Sequence, residues 1–331
     1  MVWRLVRLVA ALGALTLVVT PVAIAGNGGI APPESATPEG QAINELYWIL
    51  MGVLILIFLV VEGALVYFIV RFRRRKGTAA DTDGPQIHGN TRLELVWTGI
   101  PLVILIALIV VTIVKVPTVQ ATPGPNDHPL VVKVDGHQFY WEYVYEDGTA
   151  AVDEVVLPVG QPIQLVLDAK DVIHSWWVPE LTGKLDAIPG RTNTLNFTIE
   201  KEGVFRGQCA ELCGAEHATM YTTVRAVPKA EFEQWLADRK ALTLGQETWE
   251  GVCAKCHGAL GEGDYGPAIA GNSTLADADA LATLLENGQD TEALPGYMPH
   301  VSIGWPDGQL KALIDYIASN PDLAPAAPQG G

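Results

Sequence analysis

Two stretches of the chain are almost continuously apolar: a first span at about residues 44–70, broken in its interior only by Glu62, and a second at about 95–116. At about 1.5 Å per residue each is long enough to cross a hydrocarbon core of about 30 Å, and both are too uniformly aliphatic for the buried helices of a water-soluble protein. They predict a helical hairpin over residues 40–117. Beyond Pro129 the pattern changes to short segments rich in Val, Ile, Tyr and Phe, namely Leu130 to Val134, Phe139 to Tyr145, Ile163 to Leu167 and Thr194 to Ile199. Turn residues separate them and no helical period is sustained, so residues 129–228 are expected to form a small antiparallel sandwich or barrel. Residues 229–240 read as a linker helix. From there a helical pattern returns: Leu242 to Val252 and Leu310 to Ser319 are candidate helices of a small all-α domain over residues 241–321, followed by an Ala/Pro/Gly-rich tail over 322–331, expected to be disordered.

The two ends of this pattern fix a topology. Arg4 and Arg7, an apolar run from Leu8 to Val19 and the small residues Ala23-Ile24-Ala25 read as a signal peptide over residues 1–25, with an uncleaved anchor as the alternative. Arg71, Arg73, Arg74, Arg75 and Lys76 follow the first span directly, which places that short loop in the cytoplasm and both chain ends outside. The expected location is a bacterial-type plasma membrane, crossed more than once, with the N-terminus and everything past Pro117 on the external, periplasmic side. Formal charge is −16 overall, but residues 1–116 carry nine Lys/Arg against seven Asp/Glu and the remainder twelve against thirty. An exported region near −18 repels nucleic acid and favours a cationic partner, or is simply a solvated acidic surface. Glu94, at the cytoplasmic mouth of the second span, is either an interfacial carboxylate or part of a proton path.

Chemistry is concentrated in two short runs. Cys209-Ala-Glu-Leu-Cys213-Gly-Ala-Glu-His217-Ala-Thr-Met220 packs two thiols, an imidazole and a thioether together, with His174 available upstream. Such soft ligands suit copper, whereas structural zinc takes Cys and His alone. Two thiolates would bridge a pair of copper ions, each completed by a histidine, with Met220 and a backbone carbonyl as weak outer ligands. A disulfide between Cys209 and Cys213, or two buried thiols, is the alternative. The other two cysteines form Cys253-Ala-Lys-Cys256-His257, in which each thiol can make a thioether to a haem vinyl group and the histidine can ligate the iron. Met298, in Gly-Tyr-Met-Pro, is the natural sixth ligand, with His300 as its competitor. Every cysteine is then used without a disulfide.

The segments GHQFYWEY (136–143), DVIHSWWVPE (171–180), KLDAIPGR (184–191) and CAELCGAEHATM (209–220), following a two-span hairpin, resemble subunit II of cytochrome c oxidase over about residues 40–240. The resemblance implies a multi-domain membrane protein: a two-helix transmembrane hairpin, an all-β cupredoxin-like sandwich holding the dinuclear copper A centre, then an all-α class I cytochrome c domain. By match, His174, Cys209, Cys213, His217 and Met220 would be copper ligands. Glu211 would add its backbone carbonyl and turn its side chain to a magnesium or manganese ion at the border with subunit I. Glu94, before Trp97-Thr98, would lie at the mouth of a proton channel. The aromatic cluster that usually reads Trp-Tyr-Trp is here Phe139, Tyr140 and Trp141, so the family's route for electrons from a separate cytochrome carries over weakly. The C-terminal domain resembles class I cytochromes c, with Cys253, Cys256, His257 and Met298 matching the haem pattern, as in caa-type oxidases. The implied function is that of a proton-pumping haem-copper oxidase subunit: electrons arrive from a cytochrome c or bc complex, pass to haem c, then to copper, and then to the haem of subunit I, where dioxygen is reduced. Subunit III is a further expected neighbour. A copper carrier, a membrane electron carrier serving another reductase, and a quinol oxidase subunit are the competing readings. The Cys-X-X-Cys-His motif counts against the first, copurification with a large haem-containing subunit would separate the second, and the full copper ligand set counts against the third.

Overall fold

A computed structural model describes residues 31–73, 86, 88–120, 124, 127–239, 241–289 and 298–324. The signal-peptide segment, the basic residues Arg74, Arg75 and Lys76, Gly296 and Tyr297 beside Met298, and the end of the tail lie outside the described residues.

Helix α1 (Pro38–Arg71) starts where the Thr37 hydroxyl accepts from the Gly40 N–H and Pro38 occupies the first turn, where its missing N–H costs nothing. That start is fastened to the β-region. The Ala36 N–H donates to the Glu180 carbonyl and the Glu200 N–H to the Ala36 carbonyl, both at 2.8 Å. Helix α2 (Thr91–Val119) begins on Asn90, whose side chain accepts from the Leu93 N–H. An 18-residue stretch of each helix reaches a mean hydropathy of 2.9 and 2.8 respectively, and both helices leave their large apolar side chains uncovered. Such surfaces fit hydrocarbon, because a helix pairs its backbone groups internally. An ion pair from Lys115 to Glu45 links the ends nearest the β-region. Since α1 leaves that region and α2 returns to it, both ends emerge on one side.

The strands are β1 (Leu130–His137), β2 (Tyr140–Tyr145), β3 (Ala150–Val152), β4 (Glu154–Pro158), β5 (Pro162–Ala169), β6 (His174–Trp177), β7 (Leu185–Ala187), β8 (Asn193–Thr198), β9 (Gly203–Cys209) and β10 (Tyr221–Val227). They form two five-stranded sheets, ordered β3-β2-β1-β5-β8 and β4-β10-β9-β6-β7. Strand β5 shows why the pattern is legible: Ile163, Leu165, Leu167 and Ala169 are buried while the residues between them are not. The sheets are mixed rather than purely antiparallel, since β1 pairs with β5 and β4 with β10 in parallel. Strand β4 crosses to the second sheet, so β5 re-enters the first running alongside β1. Local alternation is the same for either direction and could not reveal this. Between the sheets Val132, Val134, Leu165, Trp176 and Phe197 are closed off from solvent, each large aliphatic side chain contributing about 1.5–3 kcal/mol.

Helix α3 (Lys229–Asp238) lies on the sandwich, with Phe232 and Trp235 at 6.0 and 5.4 Å from the Tyr145 ring. A second core follows, built by α4 (Ala241–Thr248), a π-helical turn (Trp249–Cys253), α5 (Ala254–His257), α6 (Ala278–Asn287) and α7 (Gln309–Ser319) around Trp249, Leu281, Leu285, Leu313 and Ile317. Tyr140 of strand β2 belongs to this second core, not to the sandwich.

Where the two cores meet, β1 and β2 bury a polar pair. His137 Nε2 and Glu142 Oε2 are 3.9 Å apart and wholly inaccessible. Burial, and after it the nearby Asp135, pushes the Glu142 carboxyl up to about 8, while burial draws His137 down to about 3. A carboxyl raised in this way keeps its proton when folded, so its contribution weakens as pH rises from the unfolded value towards 8. His137 has no further effect above the ordinary imidazole value of about 6.5. Glu142→Gln should therefore remove a decline in stability between about pH 6.5 and 8, raising the melting temperature at pH 8 by roughly 2–4 °C for each kcal/mol recovered. Thermal unfolding of parent and variant at the two pH values checks this, and parallel curves would refute it.

Candidate functional site

The sandwich brings the soft donors together at one end. His174 opens β6 and Cys209 closes β9, two strands paired at Trp176 and Cys209. Backbone bonds pin the loop that follows: Cys209 N–H to the Met220 carbonyl and Ala210 N–H to the Ser175 carbonyl, both 2.9 Å. The Cys209 and Cys213 sulfurs lie 4.0 Å apart and are not bonded to each other. Cys209 Sγ is 3.9 Å from His174 Nδ1 and 3.2 Å from the Glu211 carbonyl. Cys213 Sγ is 3.5 Å from His217 Nδ1 and 3.8 Å from Met220 Sδ. His174, Cys209 and Cys213 also form the one candidate metal cluster among the described residues. All six sequence-derived positions therefore converge, and four of the side chains are buried.

Two features suit this cluster to a cation. The contact between the two sulfurs, together with His174, draws the Cys209 thiol below its ordinary range while it pushes Cys213 up. His174 gives its Nε2–H to the Asp171 carboxylate at 2.8 Å, which orients the ring and leaves Nδ1 facing the sulfurs. Asp171 was not among the sequence candidates, although it stands three residues before His174, a spacing that a search for a histidine's carboxylate partner would have reached. The Glu211 side chain is exposed and accepts from the neighbouring Leu212 N–H.

The second core encloses a cavity of about 880 Å³ lined by Cys253, Cys256, His257 and Met298 together with Leu281 and Leu313. The π-helical turn delivers Cys253 to its wall. The His257 Nδ1–H donates to the Pro267 carbonyl at 2.7 Å, which leaves Nε2 for a ligand. The Gly266 N–H holds the same loop to the Cys256 carbonyl at 2.6 Å. An apolar cavity carrying two thiols, an imidazole and a thioether fits a covalent haem. His300 is turned elsewhere, its Nδ1–H donating to the Glu286 carbonyl at 2.9 Å, and it is not part of the lining.

The three aromatic residues divide between the two sites. Phe139, with Gln138, lines the cavity. Tyr140 is fully buried, donating to the Val301 carbonyl and accepting from Trp305 Nε1 at 2.7 Å. Trp141 stays in the sandwich, edge-on to His174 at 5.9 Å. Glu94 lies far from both sites, in the first turn of α2, where its carboxylate accepts from the Asn90 N–H at 3.1 Å.

A family profile described as cytochrome c oxidase subunit II, periplasmic domain, matches residues 149–227. The corresponding transmembrane domain profile matches residues 25–114. One described as cytochrome c oxidase, cbb3-type, subunit III matches residues 240–317. The cytochrome c oxidase subunit 2 of Alkalihalophilus pseudofirmus is 32% identical, over 96% of this chain and 98% of its own length. The protein of that name from Synechocystis is 33% identical, over 65% of this chain and 80% of its own. The crystal structure of the periplasmic domain of cytochrome oxidase subunit II from Bradyrhizobium japonicum aligns at 37% identity, over 35% of this chain and 94% of that one, with a TM-score of 0.32.

Proposed function

Because the chain belongs to the cytochrome c oxidase subunit 2 family, we propose that it carries electrons from an external donor to a partner subunit of a haem-copper oxidase, where dioxygen is reduced. The observation that carries the residue-level reading is the convergence of His174, Cys209, Cys213, His217 and Met220 within one rigid end of the sandwich. When bound, a dinuclear copper centre and a covalent haem c supply the one-electron carriers.

The chain's own residues hold, orient and insulate. Cys209 and Cys213 would hold the copper through their sulfurs and His174 and His217 through one Nδ1 each, with Met220 Sδ and the Glu211 carbonyl as further donors. His174 lies on β6, Cys209 ends β9 and Met220 directly precedes β10, so these donors keep their places whichever charge they carry. Cys253 and Cys256 would anchor the haem through thioethers, and His257 and Met298 would ligate its iron. The exposed Glu211 carboxylate is offered to a magnesium or manganese ion at the border with the catalytic subunit, and Ile173 and Leu212, both exposed, are the apolar neighbours of that border. Glu94 at the start of α2 serves as a proton-channel mouth while also capping its helix. With the α1–α2 loop in the cytoplasm, the sandwich and the cytochrome face outward, where a cytochrome c or bc complex delivers electrons. Proton pumping itself belongs to the partner subunits.

The deciding experiment is an EPR and optical spectrum of the purified complex with metal analysis. A mixed-valence copper pair plus one haem c for each copy of this chain is the expected result, and a single copper or none would sink the reading. Met298→Ala should lower the haem reduction potential and shift its optical spectrum, since a thioether ligand raises that potential. Redox titration of the variant tests this, and an unchanged potential would remove Met298 from the ligand set.

A further inference from the structure

The haem cavity and the copper cluster are separated by very little protein, and what separates them is held from the haem side. Gln138 and Phe139 line the cavity. From its other side, Gln138 Nε2 donates to the Cys213 carbonyl at 2.6 Å, and the Gln138 N–H donates to Asp171, the partner of His174, also at 2.6 Å. The approach is close: a Cβ on Gly214 would come within 2.8 Å of Gln138 Nε2 and 2.9 Å of the Phe139 ring. Two residues thus reach from the cavity wall to both halves of the copper cluster.

Lys255 fastens this bridge. It stands between the two cysteines of the haem motif, and its Nζ reaches back to the sandwich to donate to the Phe139 carbonyl at 2.9 Å and to Asp153 Oδ2 at 2.5 Å. Asp153 is well placed to receive it: its other oxygen accepts from the Trp141 N–H at 2.8 Å, two residues from Phe139. One turn before Lys255, a Cβ on Gly251 would meet Val152 at 2.5 Å, so the helix backbone lies directly on β3. The pair is largely shielded from solvent, where removing either partner leaves a costly uncompensated group.

We propose that Lys255 is an inter-domain positioning residue: by holding Asp153 and the Phe139 carbonyl together it keeps the cytochrome unit docked over Gln138–Phe139, making the fused cytochrome the immediate donor to the copper site. This deepens the reading above and rests on it. The rate of electron transfer scales with the docked fraction, so loosening the latch lowers the rate without touching either cofactor.

The test uses the whole oxidase complex, with haem c photoreduced by a dye and its reoxidation followed beside the copper signal. Transfer in the parent tests the underlying reading, and the variants test the latch. Lys255→Gln and Asp153→Asn should each slow transfer about tenfold. The rate should become sensitive to solvent viscosity, and the copper site should become reducible by added soluble cytochrome c. Lys255→Arg should restore most of the rate, and the haem spectrum, haem potential and copper EPR signal should stay at parent values throughout. An unchanged rate in both Lys255→Gln and Asp153→Asn, with cofactors intact, would overturn the latch, as would an equal loss in Lys255→Arg.

Discussion

In Cys213→Ser, electron delivery to oxygen should fall by more than 100-fold, beyond the roughly 10–100-fold that loss of an outer metal partner costs. Cys213 is the hub of the cluster, with the Cys209, His217 and Met220 donors all within 4.0 Å. A serine hydroxyl is a harder donor and does not replace a thiolate toward a soft metal. Copper analysis should show loss of metal and EPR the loss of the mixed-valence signal, while the haem c band stays at full height because Cys253 and Cys256 line a separate cavity. Oxygen uptake at the parent rate, with copper absent, would remove the cluster from the electron path.

The double change Cys253→Ser, Cys256→Ser should produce the complementary phenotype. Without covalent attachment the haem stain on denaturing gels disappears, and the cavity of about 880 Å³ loses its filling. Voids of that kind are costly, and here the small helical unit should lose its own cooperative unfolding. Uptake supported by the native donor should drop to background while copper EPR persists. Native-donor activity at the parent level would mean that electrons reach copper by another way.

The difference between what the sequence disclosed and what it hid follows from range. The candidate copper and haem ligands are local: a run of twelve residues holds most of one set and a pentapeptide most of the other, and ligand chemistry restricts the residue types allowed. The helical hairpin is equally plain, since hydropathy over a span-length window is its physical cause. Strand direction was not readable, because alternation is blind to whether β5 runs with or against β1. Nor was the joint between the cores. Lys255 between two haem cysteines, Asp153 in a turn and Gln138 beside an aromatic run are ordinary residues until pairings about a hundred positions apart bring them together. Phe139 is instructive in the same way. As a sequence feature it is a tryptophan lacking its N–H; in the fold it is part of an apolar wall whose neighbours come from the other domain.

Tyr140 has a practical bearing on how such proteins can be rebuilt. It is contributed by a strand of one domain yet completes the core of the next, where Val301 and Trp305 satisfy its hydroxyl. A foreign cytochrome grafted after residue 240 would leave a fully buried phenol facing surfaces that never evolved to receive it, and plain truncation there would expose it together with Glu142 and His137. The two redox modules are therefore not interchangeable cassettes. A chimera that is to work must carry β2 along with whichever cytochrome it is meant to serve.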